Sequence, residues 1–276
     1  MASRGCRRAL PPRQILDTHP QFRIYPEGCR PLVFRRSAPM PVPYRAALYV
    51  MPGTSDPLGA FGAAWLGRAA DGGPLAPRPA VPENWSVDAL DAVTAEPRRY
   101  GFHATLRAPF RPAEGVDLDA IEARAAELAA ALPRVMIPQG LQLRRIAHFL
   151  ALVPAARSDA LQDFAARIVE GTNDLRRPLD AGDRAKRLAK SRLTPRQIEL
   201  MDRWGYPHVF EDFRFHMTLT GRLPEDEPAV ARLFDALAGA TAAFATRPFV
   251  IDAIAVAVEA APGAPFICHR RFALRG

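Results

Sequence analysis

Two stretches of this sequence repeat one pattern, YGFHATLR at residues 100–107 and RFHMTLTGR at residues 214–222. Each contains, in the same order, an aromatic residue, a histidine, a small or apolar residue, a threonine and a leucine. Apolar and polar residues alternate with a period of two, which is typical of a half-buried β-strand. We therefore expect two strands, with a turn at Glu96-Pro97 before the first and another at Gly221 at the end of the second.

One face of each predicted strand is apolar, and the other carries groups that can do chemistry. The polar faces would consist of His103, Thr105 and Arg107 in the first strand and of Arg214, His216, Thr218, Thr220 and Arg222 in the second. A histidine has an ordinary pKa of roughly 6.5 and can take or give a proton near neutral pH. Breaking a phosphodiester needs a base for the attacking oxygen and an acid for the leaving oxygen, and two histidines can supply both without a metal.

The other polar groups on these faces suit a phosphate. The hydroxyls of Thr105 and Thr218 can donate to non-bridging phosphate oxygens, and Arg107, Arg214 and Arg222 can neutralise the charge that develops there. A single His-x-Thr strand is more often a half-exposed sheet edge, but two copies with matching flanks favour a shared function. The pattern does not distinguish the catalytic acid from the base.

The order of the other predicted elements indicates a unit that occurs twice. A strand, a helix, a His-Thr strand, a helix and strands are followed by helices, the second His-Thr strand, a helix and strands, which predicts a duplicated α+β fold. Residues 87–94 fit a short helix or an extended segment. Asp117, Ser158 and Thr194 are predicted helix N-caps, and Gln197 completes a capping box with Thr194.

The composition is that of an ordinary globular protein, because 49% of the 276 residues are hydrophobic and 24% are charged. The longest apolar run, residues 249–261, is interrupted by Asp252 and Glu259, so we expect no membrane association. Three widely separated cysteines indicate neither a disulfide framework nor a zinc site, and they favour the cytoplasm. The sequence has no metal-ligand spacing and no Gly-rich phosphate loop, so we expect neither a metal nor a cofactor.

The net charge of +8 is concentrated near the amino terminus. Residues 1–43 hold eight arginines against Asp17 and Glu27, a net charge of +6 that leaves +2 for the rest of the chain. This Arg- and Pro-rich segment predicts a disordered or loosely attached tail, unless translation begins at Met40. Residues 44–276 would form the folded domain. A small phosphoester or nucleotide is then a better partner than long nucleic acid.

The two His-x-Thr elements resemble the signature of the two-histidine (2H) phosphoesterase superfamily. Their flanks are similar to a branch of that superfamily associated with phosphonate-utilisation (carbon–phosphorus lyase) gene clusters. The segments that carry this similarity are residues 63–68, 99–106, 204–207 and 213–221. The resemblance covers about residues 44–276. It implies a bilobed α+β fold with pseudo-twofold symmetry, in which antiparallel sheets line a central groove.

The resemblance also implies a metal-independent and cofactor-free site. His103 and His216 would be the catalytic residues, and Thr105 and Thr218 would bind the phosphate. The association with phosphonate utilisation suggests a ribosyl cyclic phosphate or a related small phosphoester as the substrate.

Several other side chains have a structural interpretation beside a functional one. The single residues of this kind are His148 at a strand edge, His208 in a loop, His269 on a solvated strand face, and Tyr49 and Tyr206, which fit packing or ligand contact. The basic residues between positions 184 and 192 fit a phosphate- or RNA-binding patch or a solvated face.

Two readings of the groove remain. The leading hypothesis is a phosphodiesterase-type hydrolase that acts on a cyclic or small phosphodiester, and the alternative is a non-catalytic module that binds a nucleotide or an RNA end. A transferase or ligase running the reverse step is a third. The repeated histidine favours catalysis, because lysine or arginine would hold a phosphate with a permanent charge. The exact substrate, the reaction direction and the oligomeric state stay open.

Overall fold

The computed structural model describes residues 42–190 and 192–276 as a mixed structure of helices and mainly antiparallel strands. The strands are β1 Arg45–Val50, β2 Ala104–Phe110, β3 Val135–Ile137, β4 Leu141–Ile146, β5 Phe149–Pro154, β6 Met217–Thr218, β7 Phe249–Ile251, β8 Ala253–Glu259 and β9 Ile267–Ala273. The α-helices are α1 Pro57–Leu66, α2 Val87–Tyr100, α3 Leu118–Ala131, α4 Asp159–Gly171, α5 Ala181–Lys190, α6 Pro195–Trp204 and α7 Glu227–Ala245.

One seven-stranded sheet, in the order β4-β5-β6-β2-β1-β8-β9, organises the fold, and β3 and β7 form a separate ribbon. Every pairing between these strands is antiparallel. The predicted α+β class and antiparallel pairing are therefore confirmed. The two motif strands β2 and β6 are neighbours in this continuous sheet, where Ala104 pairs with Met217. The duplicated, bilobed arrangement with a pseudo-twofold axis stays a prediction.

The two faces of the sheet have different surroundings. On one face, alternate residues such as Leu48, Leu106 and Leu219 join the main hydrophobic core with side chains from α1, α2, α3, α4 and α7. On the other face, a smaller cluster contains Tyr49 and Phe266. Because side chains of a strand alternate between faces, the polar residues of β2 lie on the side of the smaller cluster.

Local signals set the starts of several helices as the sequence predicts. The side chains of Asp117, Ser158 and Thr194 each accept a hydrogen bond from a backbone N–H in the first turn of α3, α4 and α6. The backbone N–H of Thr194 donates to the side-chain oxygen of Gln197 at 3.0 Å, which completes the predicted capping box.

The segment before the first motif differs from the prediction. Helix α2 continues through Pro97 to Tyr100, so the expected turn at Glu96-Pro97 and the strand start at Tyr100 are wrong. Proline has no N–H to bond the carbonyl four residues earlier. That carbonyl, of Val93, instead accepts a hydrogen bond of 2.6 Å from the N–H of Gly221 at the end of the second motif. The proline thus leaves an acceptor that joins the two motif regions.

The second motif is also less regular than expected, because β6 contains only Met217 and Thr218. The preceding residues form a short 3-10 turn at Phe210–Asp212. Its expected apolar residues Phe213 and Phe215 are nevertheless buried in the main core.

Two further expectations concern the chain as a whole. Within the described ranges, no helix combines the length and the apolar character that a membrane crossing requires. The predictions of a loosely attached tail and of a start at Met40 fall on residues 1–41 and lie outside the described residues.

Candidate functional site

A cavity of about 710 Å³ lies on the side of the sheet that carries the smaller cluster. Side chains from both motifs line it. The predicted site residues that it brings together are His103, Thr105, Arg107, His216, Thr218 and Arg222, and Thr220 from the same predicted polar face lines it as well. The opposite wall comes from the segment at residues 176–187 and from residues 204–209. The alternation of the two stretches therefore locates most of the polar groups on one surface.

Two predicted residues do not act as expected in this cavity. Arg214 is exposed and does not line it, although it lies between the buried residues Phe213 and Phe215 as the alternation predicts. Its contribution is the backbone carbonyl, which contacts His216. The hydroxyl of Thr220 is buried and accepts a hydrogen bond of 2.9 Å from the N–H of Leu150. Thr220 is therefore tied to the backbone of β5.

The register of β2 and β6 arranges the two motifs reciprocally. In an antiparallel pair, residues on either side of a matched pair remain opposite one another. Because Ala104 pairs with Met217, His103 lies across from Thr218 and Thr105 lies across from His216. Each histidine therefore has its own threonine one pleat away and the other motif's threonine on the neighbouring strand.

The two histidines are oriented in the same way. Nδ1 of His103 is 2.8 Å from the carbonyl oxygen of Gly101, and Nδ1 of His216 is 2.7 Å from that of Arg214. A carbonyl oxygen can only accept, so in each neutral ring Nδ1 carries the proton and donates it. Nε2 is then the nitrogen that exchanges protons. The hydroxyl of Thr105 lies 3.3 Å from Nε2 of His103.

Gly101 has a backbone role in this arrangement. Its φ of 78° lies in the left-handed region that glycine adopts readily, and a Cβ there would be 2.5 Å from the Cβ of Ala70. This conformation ends α2 and presents the carbonyl oxygen to His103.

Burial makes both imidazoles weaker bases than usual. It lowers the pKa of His103 to about 4, an effect that the Gly101 hydrogen bond partly offsets and that the charge of His216 increases. Burial also lowers the pKa of His216 below its ordinary value, with the hydrogen bond to Arg214 acting in the opposite direction. Both rings are therefore neutral at pH 7 before a ligand binds.

Each histidine packs against an aromatic ring from the next strand outward. The ring of Tyr49 on β1 is 3.9 Å from that of His103, and Phe149 on β5 is 5.7 Å from His216, centroid to centroid. The Tyr49 hydroxyl is buried and has no hydrogen-bond partner among the described residues. Burial also raises its pKa well above the ordinary value, so it is a neutral donor. A buried hydroxyl without a partner is costly, and a ligand could satisfy it.

The wall of the cavity is strongly basic. The charged residues that line it are Arg45, Arg107, Arg111, Arg176, Arg177, Lys186, Arg187 and Arg222 against Glu96 and Asp183. Charge counting placed most of the excess in residues 1–43, and it missed this local concentration because lining residues from distant segments meet only in the fold. Arg176 carries no recognisable signal in the sequence.

The other candidate residues from the sequence differ in whether they line the cavity. Lys186 and Arg187, from the basic run at 184–192, line the cavity, whereas Arg184 is paired with Asp202 outside it. Tyr49, Tyr206 and His148 line it as well.

In the part of the chain that the structure describes, two other histidines lie outside the cavity. His269 pairs with Glu122, and the ring of His208 packs against Tyr206 without lining the cavity. In residues 42–190 and 192–276, no group of three or more His, Cys, Asp and Glu side chains is placed to hold a metal ion.

Comparison with known proteins supplies the family. A chain of Janthinobacterium sp. (strain Marseille), called ribose 1,5-bisphosphate phosphokinase PhnN, is 37% identical over 237 residues, which cover 84% of this chain and 51% of the relative. A protein of the same name from Laribacter hongkongensis (strain HLHK9) is 36% identical over 227 residues, covering 80% of this chain and 50% of the relative. The chain thus spans about half the length of these curated relatives. A family model described as a protein of unknown function, DUF1045, matches residues 105–267. This match covers more than half of the sequence, and the chain belongs to the DUF1045 family.

Proposed function

We propose that this chain is a metal-independent phosphoesterase that cleaves a cyclic or otherwise small phosphodiester by acid–base catalysis with His103 and His216. The observation that carries the proposal is the reciprocal geometry of the two motifs. The two histidines make the same Nδ1 contact to a backbone carbonyl, each lies across from the other motif's threonine, and the Thr105 hydroxyl lies 3.3 Å from Nε2 of His103. We place the reaction in the phosphonate metabolism that the sequence resemblance implies.

The chemistry needs only groups that this site supplies. One neutral imidazole takes a proton at Nε2 from a water molecule, whose oxygen attacks phosphorus. The bond from phosphorus to the leaving oxygen breaks, and the second imidazole, protonated in the complex, gives its Nε2 proton to that oxygen. One water is consumed, one ester bond is lost, and the two histidines exchange protonation states until solvent restores them.

Binding prepares the acid. Both imidazoles are neutral in the free protein at pH 7, but an anionic phosphate beside a histidine favours its charged form. We assign the acid to His216 and the base to His103, because the ring of His103 packs 3.9 Å from that of Tyr49, whereas His216 lies 5.7 Å from Phe149. The Tyr49 hydroxyl, together with Thr105 and Thr218, would donate to the phosphate oxygens.

The name of the two relatives, ribose 1,5-bisphosphate phosphokinase, supports a small phosphorylated sugar as the ligand of this site. We do not extend the phosphokinase activity itself to this chain, which spans only half of each relative. The sequence has no Gly-Lys pair and hence no loop of the kind that cradles nucleoside triphosphates in P-loop enzymes. Phosphoryl transfer is therefore an outcome to be tested and not the function that the geometry favours.

The test is a phosphorus NMR screen of the purified full chain. Nucleoside 2′,3′-cyclic phosphates, ribose cyclic phosphates and phosphonate esters are incubated with the wild type, His103→Ala, His216→Ala and the double variant. Each single variant is expected to lower turnover by roughly 10²–10⁴-fold, the usual contribution of a positioned acid or base. His269→Gln, which lies outside the cavity on β9, is the matched control and should retain wild-type turnover.

Other outcomes separate the alternatives. Ligand binding at fixed stoichiometry by calorimetry, with no product in any spectrum, would favour the nucleotide- or RNA-end-binding module. Product that requires ATP and ribose 1-phosphate or bisphosphate would favour phosphoryl transfer.

The acid–base assignment has its own assay, which uses leaving groups of different basicity. A nitrophenolate leaves without protonation, so an aryl phosphodiester should largely restore the activity of His216→Ala but not that of His103→Ala. Equal rescue of both variants would contradict the assignment.

A further inference from the structure

The basic residues of the cavity divide into two groups by their partners. Arg45 contacts the fully buried carboxylate of Glu259. Arg177 lies 3.1 Å from Asp180, and Arg111 lies 3.9 Å from the same carboxylate. These three guanidinium groups are therefore compensated by acidic residues of the protein.

The second group consists of Arg107, Arg176, Lys186, Arg187 and Arg222, of which Arg107, Arg176 and Arg187 influence one another. No carboxylate among residues 42–190 and 192–276 lies within 4.0 Å of any of them. Arg107 is 3% exposed, and its guanidinium donates to a neutral acceptor, the side-chain oxygen of Asn173, at 3.2 Å. Nε of Arg176 donates to the same oxygen at 3.0 Å. Two cations thus share one amide oxygen.

This arrangement is unfavourable unless an anion completes it. A buried charge requires a partner of opposite sign, and like charges in proximity repel. The pKa values report both effects. Burial lowers the pKa of Arg107 to about 9, with a further contribution from Arg176. Burial and the charge of Arg187 lower the pKa of Arg176. Burial also lowers the pKa of Arg187, an effect that the charge of Asp183 partly offsets. All three guanidinium groups belong to side chains that line the same cavity.

The cluster lies at the other end of β2 from the catalytic histidine. The backbone of Arg176 forms an isolated antiparallel β-bridge with Pro112, and the N–H of Arg177 donates to the carbonyl of Arg111 at 3.0 Å. The segment that contains Arg176 therefore runs beside the residues that follow β2. His103 precedes the first residue of the strand. At about 3.4 Å per residue, the four positions from His103 to Arg107 span at most about 14 Å, and the register shift between Thr105 and Arg107 against β1 shortens this distance. If the first phosphate lies at Nε2 of the histidines, the arginine cluster is free to hold a second anion.

We propose that Arg107, Arg176 and Arg187 form a second anion subsite, so that the substrate is a small phosphodiester bearing an additional phosphomonoester. The proposal rests on the proposed function, because the first anion site is the one at the histidines. A phosphomonoester fits best, since guanidinium groups recognise its several oxygens with paired hydrogen bonds and its double charge balances more than one of them. The distance between the sites selects compact substrates with phosphorus at both ends.

The test compares two probes, a nucleoside 2′,3′-cyclic phosphate and the same compound with a 5′-phosphate. The wild type is expected to have a higher kcat/KM for the phosphorylated probe. Arg176→Met and Arg187→Met should each lower kcat/KM for that probe by about 10- to 100-fold, the loss expected for a hydrogen bond between charged groups, mainly through KM. Values for the probe without the 5′-phosphate should remain unchanged. Arg184→Met, three residues before Arg187 on the same helix, is the matched control and should behave as the wild type.

Two results would overturn the subsite. One is a wild type without preference between the probes, and the other is an equal loss on both probes in the Arg176 and Arg187 variants. Because Arg107 is buried in the sheet, Arg107→Met is informative only if its unfolding curve matches that of the wild type. The test of the subsite therefore depends on Arg176→Met and Arg187→Met.

A binding measurement separates this proposal from the proposed function. If neither probe is turned over, the hydrolase assignment fails, and calorimetric titration with ribose 5-phosphate decides the subsite alone. Suppose that ribose 5-phosphate binds the wild type and Arg184→Met equally well, and binds Arg176→Met and Arg187→Met more weakly. This result would support the subsite without catalysis. Absence of binding to the wild type would refute it.

Discussion

Replacing His103 by asparagine should remove the pH dependence of stability that arises from the lowered pKa of this histidine in the folded chain. Burial lowers the pKa of His103 from its ordinary 6.5 to about 4. Between these values the unfolded chain binds a proton at this position that the folded chain does not, so stability falls as the pH decreases from 6.5 towards 4. Asparagine can keep the donor to the Gly101 carbonyl but has no titrating group.

The size of the effect follows from the two pKa values. Lowering the pH from about 7.5 to about 5 should cost the wild type roughly 2 kcal/mol of unfolding free energy through His103. With a urea m-value on the order of 3 kcal/mol/M, the unfolding midpoint would decrease by about 0.7 M more in the wild type than in His103→Asn.

The assay is urea unfolding followed by circular dichroism at both pH values, in buffers without phosphate so that no anion occupies the cavity. The quantity to compare is the change in unfolding midpoint between the two pH values, because the substitution also changes stability at each pH through lost packing. Burial also lowers the pKa of His216, so the double variant should show a smaller pH dependence still. If the unfolding midpoint of His103→Asn decreased between the two pH values as much as that of the wild type, the proposed burial of a neutral imidazole would be refuted.

Four further predictions concern the site and its support. Tyr49→Phe removes a buried hydroxyl without a partner, so the unfolding midpoint should stay equal or rise while kcat/KM falls roughly tenfold; a destabilised variant would show that the hydroxyl has a structural partner. Gly62→Ala places a Cβ 2.1 Å from the ring of Phe102, the residue before His103, and should lower stability by about 1–3 kcal/mol in urea unfolding; wild-type stability would contradict this packing. Glu259→Gln weakens the buried contact with Arg45 and should cost on the order of 2 kcal/mol, less than a fully buried pair because the arginine is partly exposed; an unchanged melting curve would argue against a structural role. EDTA should leave turnover unchanged, whereas activity lost with chelator and regained with zinc would exclude the metal-independent mechanism.

Features that depend on neighbouring residues were predicted well. The helix starts at Asp117, Ser158 and Thr194 follow from a side chain bonding a backbone N–H two or three residues later, an interaction contained within one turn. The polar face of β2 follows from alternation alone, and it correctly separates His103 and Thr105 from the core residues between them.

Features that depend on distant partners were missed. Helix α2 passes through Pro97 because Gly221, far along the chain, satisfies the carbonyl of Val93 that the proline cannot bond. The strand at the second motif contains only two residues and follows a 3-10 turn at Phe210–Asp212, and Arg214 does not line the cavity. An alternating sequence does not show at which residue the strand itself begins or ends.

The sequence by itself determined the chemical groups of this protein: two copies of a histidine and a threonine at strand spacing, which indicate proton transfer at a phosphate. It did so because spacing along a strand decides which side chains share a face. Only the tertiary structure decided that the two copies are adjacent in one sheet, with each histidine across from the other's threonine. It also decided that Arg176 and Arg187 meet Arg107 in the same cavity, because charges from separate segments converge only when the chain folds and their mutual repulsion depends on distances that no local pattern contains.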